Sequence, residues 1–183
     1  MKRVTHFIFA IILTATPILS FGQDTTITSE NSKKEKKISY SLINEYGFFI
    51  GKTKYFPFFL PGVTGIFVNG IRFDETQNEI GIGVGTEFVM DSPWRFFPVY
   101  LNYRHYYQGK GNKKPLINIG VGTLLTLQRD PYLNEVPPCT AGLYTTIAGG
   151  FKAKAFSFTS GIFLKSSDGD FVGGVEIKAG FTF

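Results

Sequence analysis

Residues 171–183 alternate. Phe171, Gly173, Val175, Ile177, Ala179, Phe181 and Phe183 fall on one side; Val172, Gly174, Glu176, Lys178, Gly180 and Thr182 fall on the other. A period of two over this length predicts an extended strand with an apolar, aromatic-ended face and a small, polar or charged face. Charges on the face of smaller residues suit a transmembrane barrel better than a soluble core.

The alternation recurs upstream and predicts eight strands in all. Strand one (38–51) carries Ile38, Tyr40, Leu42, Tyr46, Phe48 and Ile50 on one face, interrupted by Asn44, with Ser39, Ser41, Glu45 and Gly47 opposite. Strand two (63–73) has the weakest pattern, with Val63, Phe67, Ile71 and Phe73 sharing a side broken by Asn69. Strand three sets Ile80, Ile82, Val84, Phe88 and Met90 against Gly81, Gly83, Gly85 and Glu87. Strand four (96–107) sets Phe97, Val99, Leu101, Tyr103 and Tyr107 against Asn102, Arg104 and Tyr106. Strand five opposes Ile117, Ile119, Val121, Leu125 and Leu127 to Asn118, Gly120, Gly122 and Thr126. Strand six opposes Leu143, Ile147 and Phe151 to Tyr144, Thr146, Ala148, Gly150 and Lys152. Strand seven opposes Phe156, Phe158, Ile162 and Leu164 to Ser157, Thr159, Gly161 and Lys165.

An even strand count is what a closed single-chain bacterial barrel needs, and about eleven tilted residues span roughly 25 Å of apolar height. The expected fold is therefore all-β, an eight-stranded antiparallel up-and-down transmembrane barrel over residues 38–183. Its apolar faces point outward; Glu45, Arg72, Glu87, Arg104, Glu176 and Lys178 point inward, with Glu87 and Arg104 as a candidate interior pair. A cation facing lipid at mid-depth would cost roughly 2–4 kcal/mol, which sets the sense of the two faces. With both ends in the periplasm, the outer connections are 52–62, 91–94, 128–140 and 166–170. The inner turns are 74–78, 108–114 and 153–154. Tyr40, Trp94, Phe96, Tyr106, Tyr107, Phe171 and Phe183 cluster near strand ends, as an interfacial girdle requires.

The N-terminus fits the same compartment. Lys2 and Arg3 precede a short apolar run, residues 7–13, and Ser20 and Gly22 stand at −3 and −1 of a cleavage before Gln23. Residues 1–22 read as a secretory signal peptide and 23–37, polar and lysine-rich, as a flexible periplasmic leader. No cysteine near the cleavage point suggests a lipid anchor. Without Lys2 and Arg3, 17 basic residues face 14 acidic ones, too mild an excess to imply nucleic acid. The single cysteine, Cys139, cannot form an internal disulfide. High aromatic and glycine content favours strands over helices.

The pattern resembles the small eight-stranded outer-membrane barrels, the OmpA-type transmembrane domain and OmpX-like proteins. The C-terminal Phe181-Thr182-Phe183 resembles the aromatic terminal signal that such barrels present to their assembly machinery. Phe97-Pro98-Val99-Tyr100-Leu101-Asn102-Tyr103-Arg104 resembles an aromatic strand of the same superfamily. The resemblance implies fold and address, contact with outer-membrane lipid and lipopolysaccharide, and engagement of the assembly machinery by the C-terminal strand. It supplies no catalytic residue and no counterpart of a peptidoglycan-binding domain.

Candidate chemistry is thin. Gly81-x-Gly83-x-Gly85 lacks the third glycine of a dinucleotide loop and no helix pattern follows; small residues at every second position instead make room for inward neighbours. The stretch Gly47-Phe48-Phe49-Ile50-Gly51-Lys52-Thr53 is one residue short of a P-loop. Some barrels of this class modify lipid A, but a hydrolase of that kind needs a His–Ser–acid constellation. His105, the one histidine beyond the signal peptide, has outward parity near the periplasmic end, beside Ile80 and Ile117, with no His-x-Ser motif. One histidine and one cysteine cannot build a zinc site, and Asp168-Gly169-Asp170 reads as a turn rather than a calcium loop. No catalytic, cofactor or metal residue is assigned. An eight-stranded lumen is filled by its own side chains, which disfavours transport.

Function is then expected in the loops. Residues 52–62 hold the aromatic, proline-stiffened Tyr55-Phe56-Pro57-Phe58-Phe59-Leu60-Pro61, which either folds onto the rim or meets a surface partner. The loop with Pro131, Pro137, Pro138 and Cys139 reads as rigid and shelters its thiol. The resulting expectation is a monomeric, non-enzymatic surface barrel. A lipid A acyl hydrolase or acyltransferase and a soluble lipocalin-like carrier are the alternatives.

Overall fold

The computed structural model describes residues 38–53, 59–90, 94–109, 112–128, 139–167 and 170–183; the expected signal peptide and leader lie outside the described residues. Eight strands follow one another: β1 (Ile38–Thr53), β2 (Leu60–Phe73), β3 (Asn78–Val89), β4 (Trp94–Tyr106), β5 (Lys113–Gln128), β6 (Cys139–Ala153), β7 (Phe156–Ser167) and β8 (Asp170–Thr182). Each pairs with its sequence neighbour, and β8 returns to β1 antiparallel, closing the barrel. The expected architecture is the observed one.

The stagger can be read directly from the pairing. From Leu42 the register runs through Asn69, Ile82, Leu101, Val121, Thr145, Leu164 and Gly173, and meets β1 again at Lys52, ten residues further along. With a rise of about 3.3 Å and a strand spacing of about 4.8 Å, that stagger tilts the strands by about 40°. Leu42 and Phe183 exchange backbone hydrogen bonds of 3.3 and 2.8 Å, so both ends of the barrel meet at one rim. The β2–β3, β4–β5 and β6–β7 turns share that rim. The β1–β2, β3–β4, β5–β6 and β7–β8 connections lie at the other.

Strand parity holds around the whole circumference. Ile82, Val121 and Ile177 are 55, 51 and 49% exposed, whereas Glu87 and Arg104 are wholly buried in the lumen. Even the weakest prediction, β2, keeps Val63, Phe67, Ile71 and Phe73 outward, with Thr64, Ile66 and Val68 inward.

The boundaries are where the expectation fails. β1 runs to Thr53 and β2 starts at Leu60, so the first connection is shorter than 52–62. β5 starts at Lys113, inside the expected turn 108–114, and β6 at Cys139, inside the expected connection 128–140. Backbone ladders ignore side-chain polarity, and Lys113, Lys114 and Thr140 continue the pairing beyond the apolar alternation. Cys139 accordingly opens β6, exposed and opposite Leu127, rather than sheltered in a loop.

The inward glycines make space. A Cβ on Gly83 or Gly120 would collide with the Tyr100 ring, and one on Gly85 with Ile66. The Gly81-x-Gly83-x-Gly85 run is thus a packing feature of β3. The P-loop-like run at 47–53 is likewise continuous strand.

Candidate functional site: the lumen and its rims

The lumen is filled in three tiers. At the loop side, Lys165 Nζ lies 2.5 Å from Glu87 Oε2, both side chains buried. The same ammonium sits 3.9 Å from the Phe163 ring centroid, 4.2 Å from Phe49 and 5.7 Å from Tyr144. Phe49 and Phe163 meet edge-on at 5.6 Å, and Tyr100 tilts against Tyr144 at 4.9 Å. This tier plugs the barrel with aromatic faces around one ion pair, and cation–π attraction adds to the charge pairing.

The middle tier is a polar chain. Arg104 Nη2 is 2.9 Å from Glu45 Oε1, and its Nε donates to Asn102 Oδ1 at 3.0 Å. Asn102 Nδ2 in turn donates to Asn118 Oδ1 at 2.7 Å. Lys178 Nζ pairs with Glu176 Oε1 at 2.7 Å, and the Thr146 hydroxyl donates to the same oxygen.

The tier at the rim of the termini centres on Tyr106. Its hydroxyl donates to Glu79 Oε2 at 2.8 Å, while Arg72 and Lys152 both stand 5.3 Å from its ring centroid. Arg72 Nε also pairs with Asp74 Oδ1 at 3.2 Å.

Three expectations need correcting. Glu87 and Arg104 do not pair. The register sets Glu87 opposite Phe96 and Arg104 opposite Glu79, so they lie at different heights of the barrel. Each finds its partner elsewhere around the wall, on β7 and β1. Phe96 and Tyr106 are 2 and 1% exposed and face the lumen, not an outer girdle, because their parity is that of Arg104. His105 is flanked by Asn78 and Ile117, whereas Ile80 stands opposite Tyr103. Glu79 also belongs to the lumen although no sequence argument placed it there. It lies just before the apolar alternation of β3, but it shares the parity of Gly81 and Glu87.

On the outer surface, His105 Nδ1 lies 2.6 Å from Asn78 Oδ1, an oxygen that also accepts the Tyr103 hydroxyl at 3.0 Å. A carboxamide oxygen can only accept, so Nδ1 carries the proton. The imidazole stands edge-on to Tyr107 at 4.6 Å. Among the described residues, neither a serine nor a carboxylate is hydrogen-bonded to it. Of the aromatic first connection, Phe59 is 68% exposed and Leu60 packs against the lumen cluster. Residues 54–58 lie outside the described residues, as do Asp168 and Gly169 and the side chain of Trp94.

No protein-family model matches the chain, and neither does any curated protein. Solved structures do. Neisserial surface protein A (NspA) superposes with a TM-score of 0.62 at 7% identity, over 81% of this chain and all of that one. The outer membrane enzyme PagL superposes with a TM-score of 0.50 at 12% identity, over 77% of this chain and 98% of that one. At such identities the likeness is one of fold. Closure, strand count and the inverted placement of greasy and ionic side chains agree with it: this chain folds as a small eight-stranded barrel of the outer-membrane type.

Proposed function

We propose that this chain is an outer-membrane barrel with a structural or surface-interaction role and no catalytic one. The observation that carries the reading is the inversion of its surfaces. Ile82, Leu101, Val121, Ile147, Ile162 and Ile177 stand exposed around the girth, while Glu45, Glu87, Arg104, Lys165, Glu176 and Lys178 are sealed inside. Such a girth suits hydrocarbon, where the closed ladder also leaves no sheet edge with unsatisfied backbone groups.

On this reading the termini face the periplasm, after export on a signal peptide. Tyr40, Tyr103, Tyr107, Phe151, Phe181 and Phe183, all exposed near that rim, supply the interfacial aromatics. The C-terminal strand is the segment offered to the assembly machinery, and lipopolysaccharide surrounds the opposite half of a single barrel. Partners meet the connections at that far rim, where Phe59 is exposed.

PagL shows that this fold can carry an enzyme, but the reading here is supported by where His105 lies. It is bonded to Asn78 near the rim of the termini, whereas lipid A would occupy the opposite leaflet. A lipocalin-like carrier would need its apolar faces inside.

Membrane fractionation with heat-modifiable gel migration tests the proposal. An outer-membrane band whose mobility changes on boiling is expected; a soluble protein purified without detergent would overturn it. Overproduction should leave lipid A mass spectra unchanged, and a new lipid A species would refute the non-catalytic role.

A further inference from the structure

At the rim of the termini the lumen carries more positive than negative charge. β5 and β6 set Lys114 directly opposite Lys152, both on the inward register. Like charges in that position repel. The charged groups that bear on Lys152 are Arg72, Glu79, Arg104 and Lys114, three cations to one carboxylate. Arg104 pairs with Glu45 and Arg72 with Asp74, while Glu79 accepts the Tyr106 hydroxyl and keeps its charge, leaving Lys114 and Lys152 against one carboxylate. Lys152 is only 7% exposed and, among the described residues, has no carboxylate within ion-pair distance. Holding a largely desolvated ammonium against a like-charged neighbour is costly unless an anion offsets it.

We infer that this mouth binds a phosphate group, held by Lys114 and Lys152 beside the Tyr106 ring, with Arg72, paired to Asp74, flanking it. Two ammonium groups offer several donors of one sign, which a tetrahedral oxyanion with acceptors on every side can engage together. Arg72 and Lys152 each stand 5.3 Å from the Tyr106 ring centroid, so one ring attracts two of the cations at this mouth. A free phosphate and a phospholipid headgroup carry the same chemistry, and Lys114 and Lys152 lie one residue from the strand ends at this rim. The inference goes beyond the surface role proposed above and does not depend on it.

The test uses the full chain folded in an uncharged detergent. Its thermal midpoint is followed against inorganic phosphate, against phosphatidylglycerol doped into the micelles, and against chloride at matched ionic strength. A ligand that binds only the folded state raises the midpoint in proportion to its occupancy. The expected result is a rise with phosphate, with phosphatidylglycerol or with both, beyond that with chloride. The rise should be lost in the K114Q/K152Q double variant, weakened in each single variant and kept in K52Q at the opposite end. Without phosphate the double variant should be at least as stable as the wild type, because the repulsion is gone. A response to phosphatidylglycerol alone assigns the headgroup as ligand, and a response to inorganic phosphate assigns the free ion. Equal rises in wild type and in the lysine variants, or no rise beyond chloride with either phosphate source, would overturn the inference.

Discussion

Lys165 on β7 and Glu87 on β3 meet at 2.5 Å across the lumen, although 78 residues separate them in the chain. Neither strand touches the other in the sheet. The contact therefore exists only because the barrel is closed and narrow, and it is buried together with the rings of Phe49, Phe163 and Tyr144.

Removing one member of this pair should cost more than removing both. Lys165→Met leaves Glu87 desolvated and uncompensated, and a loss of about 3–5 kcal/mol is expected. The double variant K165M/E87L should recover most of it. Urea unfolding in detergent, followed by the heat-modifiable band, reads the difference; equal losses for single and double variants would show that the pair is not coupled.

Gly83 should not tolerate a side chain. Its inward Cβ position is occupied by the Tyr100 ring, so Gly83→Val is expected to destabilise by about 1–3 kcal/mol. Tyr100→Leu in the same chain should relieve part of that loss, and a double-mutant cycle measures the coupling.

The outer girth should discriminate between lipid and water. Leu101 is 65% exposed at mid-strand, and Leu101→Arg should cost roughly 2–4 kcal/mol if hydrocarbon surrounds it. Folding yield into phospholipid vesicles should fall accordingly. An unchanged yield would mean that this face does not contact acyl chains.

His105 offers the converse test. His105→Ala removes one hydrogen bond to Asn78 and one edge-on contact with Tyr107, worth about 1 kcal/mol together. Barrel folding, lipid A composition and envelope integrity should all survive the change. A lost envelope phenotype with the barrel still folded would give the imidazole a role that the proposal denies it.

Much of this was legible in the chain before any coordinates. The period of two along β3, β5 and β8 assigned inside and outside correctly for Ile82, Val121, Glu87 and Glu176. It also identified the glycine run on β3 as packing space rather than a nucleotide loop. Strand ends were less legible, because Lys113, Lys114 and Thr140 extend the ladder without extending the apolar pattern. Nearness to a strand end suggests a girdle for Phe96 and Tyr106, but their parity with Arg104 turns them into the lumen.

The sequence by itself determined the alternation, and hence which way each side chain points, because a strand's pleat is a local property. It could not determine what an inward charge meets. The choice of Lys165 for Glu87, of Glu45 for Arg104, and of two facing lysines at the rim of the termini was made by closure and a ten-residue stagger. Those are properties of the whole sheet: partners across a lumen are set by how far each strand slides past the next, and no short stretch of chain encodes that distance.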